Sequence, residues 1–179
     1  MTELALFEHP GGVEAEGPNE ILYDLEANEA HAAPARIDAD LIRWVLVDGE
    51  AAGAQLSRTI DLDPDTEWLL RCDRVDFGPG GVAHRHTHPG PGIRRLLFGG
   101  ITIESEGEVK TYKPGEAWFE RGPDPVLATT SPHEPSAFVR VMLVPSSLAG
   151  QRTITYVDPA DADKPKTQKA TIFLEVPVA

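Results

Sequence analysis

The sequence predicts an all-β protein, built as a closed or double-sheet structure such as a jelly roll. Three observations carry that expectation. From about residue 41 onward, short apolar runs alternate with Gly, Pro and Asp clusters, as strands alternate with turns. Sixteen Gly and sixteen Pro punctuate most windows, so apolar periodicity never lasts long enough to make a substantial helix. Strands this numerous and closely spaced need closure or a second sheet to limit exposed edges.

Taken in order, residues 1–35 hold eight acidic residues and no Lys or Arg, with six Gly and Pro among few large apolar groups. That composition predicts an acidic N-terminal arm outside the core. It is either solvated or, through Ile21, Leu22, Tyr23 and Leu25, packed on a second subunit. Residues 36–145 are expected to form the barrel, with strands at 41–47, 55–60, 67–77, 81–88, 93–98, 101–105, 108–112, 116–120, 125–129 and 137–144. Residues 146–179 form a C-terminal extension: a loop or short helical turn, then RTITYV, a charged linker and the apolar run ATIFLEV, packing on the barrel or on a partner. Because LIRWVLV and ATIFLEV are apolar strands that one small barrel would struggle to cover, a homodimer is expected.

The net charge is −13, with 41% hydrophobic and 25% charged residues, a composition able to bury a sizeable core. Such a charge repels a phosphate backbone and no basic run offsets it, so nucleic acid is not an expected partner. No stretch approaches the ~20 apolar residues of a membrane span and the N-terminus lacks the build of a signal peptide, which points to a cytoplasmic protein with no membrane partner. Cys72 is the only cysteine, which excludes intrachain disulfides and Cys-rich metal sites. It sits in WLLRCDRV with no His close in sequence and reads as a small core residue. Trp44, Trp68 and Trp118 fall in expected strands, where an aromatic ring fills core. Phosphate-cradling Gly loops and nucleophile elbows are absent from the sequence.

Chemistry concentrates in residues 78–100, GPGGVAHRHTHPGPGIRRLLFGG. His84, His86 and His88 share one face of an extended strand, and imidazoles at i and i+2 are close enough to converge on one first-row metal ion. This segment resembles the first motif of the cupin superfamily: Gly80 stands six before His86, His88 follows, and Gly92 and Gly99 keep the remaining spacing. The family Glu falls on Gly92. The second motif maps onto Gly115 to Pro125, with Glu120 at the usual Pro, Gly122 at the Gly, and Pro125 where the His belongs. The likeness covers roughly residues 70–145 and lacks two of the four usual ligands.

The resemblance implies a cupin-type barrel binding one divalent ion (Fe, Mn, Ni or Zn) through His86 and His88. In the family layout Glu120 ends an interior strand and supplies the missing carboxylate, giving a two-His-one-carboxylate triad with open positions. His84 is either a third imidazole or one strand step too far out. Arg94 or Arg95 points inward by alternation, and Arg140 lies among apolar residues in FVRVMLV. A guanidinium so placed grips an anionic oxygen of a small substrate or pairs with one of the 29 acids. The resulting expectation is a metal-dependent oxygenase, isomerase or lyase acting on a small organic acid. Its alternative is a non-catalytic ligand-binding module that has lost part of the metal site.

Overall fold

A computed structural model describes all 179 residues. The chain opens with seven strands: β1 (Thr2–His9), β2 (Val13–Ala15), β3 (Glu20–Asp24), β4 (Glu29–Ala32), β5 (Ala35–Ile37), β6 (Leu41–Asp48) and β7 (Leu56–Ile60). Eight more follow: β8 (Trp68–Phe77), β9 (Val82–Thr87), β10 (Gly92–Phe98), β11 (Ile101–Ser105), β12 (Glu108–Tyr112), β13 (Ala117–Glu120), β14 (Val126–Thr130) and β15 (Ser136–Pro145). The last two are β16 (Thr155–Tyr156) and β17 (Gln168–Pro177), and the helical content is two short 3-10 turns at Ser146–Leu148 and Pro159–Asp163. No helix is long and apolar enough to cross a membrane.

The eight strands β8–β15 form two antiparallel sheets in the orders β13-β10-β15-β8 and β12-β11-β14-β9. Strands consecutive in the chain mostly swap sheets, which is the double Greek key of a jelly roll. The space between the sheets is filled by Val75, Phe77, Leu96, Ile103, Trp118, Val126 and Phe138. The C-terminal extension packs on this barrel, β17 extending one sheet beside β8 and β16 the other beside β9.

The expected N-terminal arm is not an arm. Strands β4-β3-β6-β1-β7 make a third five-stranded sheet. It packs Leu4, Leu6, Ile21, Tyr23, Ile42, Trp44 and Leu46 against Leu70, Cys72, Ile93, Val139, Val141 and Leu143 on the outer face of the barrel. The small pair β2-β5 covers part of its far side through Ala15, Leu22, Ile37 and Leu41. Charge misled the composition argument, because a strand needs only alternate apolar residues to bury a face. Leu4 and Leu6 point in while Glu3 and Glu8 stay outside the core; Glu20 is buried but ion-paired with Arg43 at 2.7 Å. LIRWVLV is thus the middle strand of this sheet and ATIFLEV lies within β17 on the barrel, so both apolar runs that motivated a homodimer have neighbours within the chain.

Candidate functional site

Cross-strand register assembles the site. On the barrel-facing side, Trp118, Arg94, Arg140 and Asp73 stand opposite one another on β13, β10, β15 and β8. Glu120 lies one step along, opposite Gly92. Two arginines on adjacent strands repel unless each has a counterion. Here each has one: Arg140 clamps Asp73 through two contacts, at 2.7 and 3.1 Å, and Arg94 Nη2 lies 2.7 Å from Glu120 Oε2. That second contact is poorly aligned, leaving Arg94 Nη2 and Glu120 Oε2 without a true hydrogen bond. Glu120 Oε1 accepts from Trp118 Nε1 at 2.8 Å. Burial pushes the Arg94 guanidinium down to about 10 while Glu120 pulls the other way, so it is charged at neutral pH.

His86 and His88 project into the same interior and are buried. Their Nε2 atoms approach to 3.1 Å and their rings meet edge to face. His84 is not among them. A β-bulge in β9, between the pairs Val126–His86 and Ala128–Ala83, breaks the alternation, so Ala83 and His86 point inward while His84 turns outward toward Asp161, 4.0 Å away. Glu120 ends β13 buried, with Oε2 3.7 Å from His88 Nε2.

The ring hydrogens follow from their partners. His86 Nδ1 lies 2.8 Å from the His84 carbonyl, which only accepts, so Nδ1 carries hydrogen and Nε2 a lone pair. Arg140 Nη1 lies 3.2 Å from His88 Nε2 and only donates, so that nitrogen also presents a lone pair. The His88 lone pair is thus engaged by Arg140, and the two Nε2 atoms lie 3.1 Å apart. A proton is disfavoured there: burial above all, then Glu120's opposing pull and the repulsion of Arg140 and Arg94, leave His86 below its ordinary value, and burial with the same two arginines holds His88 well below it.

The donor set therefore fits a cation. His86, with a backbone carbonyl orienting Nδ1–H, has the usual support of a metal-bound imidazole, whereas His88 Nδ1 is buried without a partner. The spacing suits two neighbouring ligands of one ion, and Glu120 Oε2, ion-paired with Arg94 but accepting no hydrogen bond, lies 3.7 Å from His88 Nε2. As they stand, no three His, Cys, Asp or Glu side chains converge on one point. Arg140 Nη1, 3.2 Å from His88 Nε2, engages the lone pair an ion would use and would have to yield, its other two nitrogens staying on Asp73. At the position of the family Glu there is no room, because a Cβ on Gly92 would meet Met142 Cβ at 2.6 Å, Val141 O at 2.8 Å and Arg94 Nη1 at 2.9 Å. Arg94 folds over Gly92, donating to its carbonyl at 2.7 Å, so the guanidinium fills the space a carboxylate would need.

The Pro–Gly insert also has a use. Gly122, at φ +112°, packs so closely on Gly90 that a Cβ would lie 2.5 Å from it, and the Gly122 carbonyl accepts the His88 N–H at 2.7 Å. Asp73 escaped sequence reasoning, although an Asp amid the apolar run WLLRCDRV was a signal that a buried cation faces it.

The depressed histidines give a pH prediction. In chelator-treated protein the unfolded chain takes up protons near 6.5 and the folded chain only at lower pH. The stability is therefore complete above pH 6.5 and declines as pH falls below it toward the folded values. Urea titrations between pH 7.5 and 5 should show this decline, and His86→Gln/His88→Gln should flatten it. An equal decline in the variant would place the cause elsewhere.

No family model matches this chain, and no curated protein matches it. Among solved structures, a cupin 2 conserved barrel domain protein from Leptotrichia buccalis is 16% identical, with a TM-score of 0.45 over 80% of this chain and 84% of that one. The polyketide cyclase RemF from Streptomyces resistomycificus is 21% identical, with a TM-score of 0.40 over 55% and 67%. An RmlC-like cupin from Shewanella frigidimarina is 15% identical, with a TM-score of 0.38 over 48% and 90%. Likeness this distant transfers no chemistry, and the fold stands on the strand order itself. With two four-stranded sheets in Greek-key order, the chain is an all-β protein with a jelly-roll barrel.

Proposed function

We propose that the barrel binds a divalent first-row metal ion through His86 and His88, with Glu120 completing the set, and acts on a small organic acid as an oxygenase, isomerase or lyase. The observation that carries this reading is the convergence of the buried His86 and His88 Nε2 atoms, 3.1 Å apart, with Glu120 Oε2 3.7 Å from the second. When bound, such an ion polarises substrate oxygens. Without an ion, Arg94, Arg140, Asp73 and Glu120 balance to zero, so a dication leaves two uncompensated charges in a buried cavity. An anionic ligand cancels them. Arg94 and Arg140, held by Glu120 and Asp73, would orient its oxygens, and the apolar wall of Val75, Phe77, Ile103 and Phe138 excludes water.

A second reading is favoured by Arg140 Nη1, which already satisfies His88 Nε2: an ion-free module that binds a small ligand without catalysis. Metal analysis of the purified protein separates the two. About one ion per chain, lost in His86→Ala/His88→Ala with the β-sheet spectrum intact, supports the first, and no bound ion after incubation with Fe, Mn, Ni or Zn sinks it. Glu120→Gln should weaken metal affinity about 10-fold or more, as loss of a ligand or of its orienting partner does. Unchanged affinity would remove Glu120 from the set.

A further inference from the structure

The cavity beside the two histidines measures about 50 Å³. A single water needs about 10–15 Å³ and small-molecule pockets usually span roughly 300–1,000 Å³, so this space admits only the few atoms at one end of a ligand. Next to it opens a larger cavity of about 290 Å³, and the two share Arg140, Ile154, Gln168 and Ala170. The larger one is walled on its outer side by the C-terminal extension, including Arg152 and Lys166.

Its charge is unlike the rest of the molecule. Four basic residues and one acid line it, in a chain of net charge −13. Two of the four are spent on structure. Arg71 pairs with Glu175 and donates to the carbonyls of Gln151 and Leu148, both at 2.8 Å, and Arg140 is held by Asp73. Arg152 and Lys166 have no ion-pair partner among the salt bridges of the fold. Arg152 donates to the Tyr156 hydroxyl at 2.7 Å and Lys166 to the Ala162 carbonyl at 2.7 Å. Both lie over the Tyr156 ring, at 5.2 and 4.6 Å from its centre, so the two charges stand within a Debye length, roughly 10 Å, of each other. The carboxylate of Asp161 is taken by Lys164 at 2.6 Å.

We propose that this vestibule is the main binding site for an anionic small molecule. Arg152 and Lys166 hold its carboxylate or phosphate group, and its other end passes Arg140 into the barrel cavity. The proposal rests on the preceding reading only for what happens at that inner end. Its consequence is that ligand choice resides in the last 34 residues, outside the barrel, on Arg152, Tyr156 and Lys166.

The test is calorimetric titration of chelator-treated protein with succinate, inorganic phosphate and the uncharged succinamide, on wild type and on Arg152→Gln/Lys166→Gln. Both side chains are exposed, so the variant should keep the wild-type thermal midpoint. Expected are binding of at least one anion, none of succinamide, and a loss of at least 10-fold in the double variant. The tighter of the two anions names the source of the charge. Equal affinity in the variant overturns the proposal, as do equal binding of succinamide and silence with both anions. Anion binding that depends on Arg152 and Lys166 in a protein that takes up no metal sinks the metal reading alone.

Discussion

Arg94→Ala should cost about 3–5 kcal/mol of stability, because it strands a buried carboxylate without its counterion. Arg94 is fully buried and Glu120 nearly so, with Trp118 Nε1 the one other strong donor to that carboxylate. At the 2–4 °C per kcal/mol typical of chains this long, thermal unfolding should fall by on the order of 10 °C. The double variant Arg94→Met/Glu120→Gln should recover most of the loss, since removing both charges of a buried pair is often close to neutral. A loss below about 1 kcal/mol in Arg94→Ala would show that water reaches Glu120, and would remove the closed, apolar site assumed above.

Trp44→Ala is expected to be equally damaging for a different reason. The ring is almost fully buried between the N-terminal sheet and the barrel, and its Nε1 donates to the Ile93 carbonyl on β10 at 3.1 Å. Removing a buried Trp side chain typically costs about 3–5 kcal/mol through lost transfer energy and the cavity left behind. Trp44→Phe keeps most of the volume and loses the hydrogen bond, for about 1–3 kcal/mol. The distinguishing measurement is the number of transitions. One cooperative transition shifted downward is expected, because both layers share one core. A new early transition with the barrel midpoint unchanged would make the N-terminal sheet a separate unit.

Residues 41–145 were legible because each strand there announces itself twice, by an apolar run and by the Gly or Pro that ends it. Of the N-terminal sheet only β6 and β7 were legible as strands, and they were assigned to the barrel. Its strands β3 and β4 span only Glu20–Asp24 and Glu29–Ala32, and their acids masked the apolar face of Ile21 and Tyr23 that completes the core. His84 was misplaced because alternation was carried through β9 unbroken, and one extra residue at a bulge reverses every face beyond it. His86, His88, Glu120, Arg94 and Arg140 were all named from sequence, and the fold does bring them together. Their arrangement was not legible, since the pairing of Arg140 with Asp73 depends on register between strands 67 residues apart.

The last strand of the chain lies beside the first strand of the barrel. β17 pairs with β8 along nearly its whole length, and Gln168 and Ala170 supply part of the cavity wall. During synthesis this makes the cavity wall later than the barrel strands it rests on. The ribosome must release residues 168–177 before the barrel sheet has its outer strand, a contact about a hundred residues long in sequence. A chain lacking residues 168–177 would keep the core between the two barrel sheets and lose part of the cavity wall. The order of synthesis thus sets the order of closure: the cavity wall is complete only after two strands made about a hundred residues apart have met.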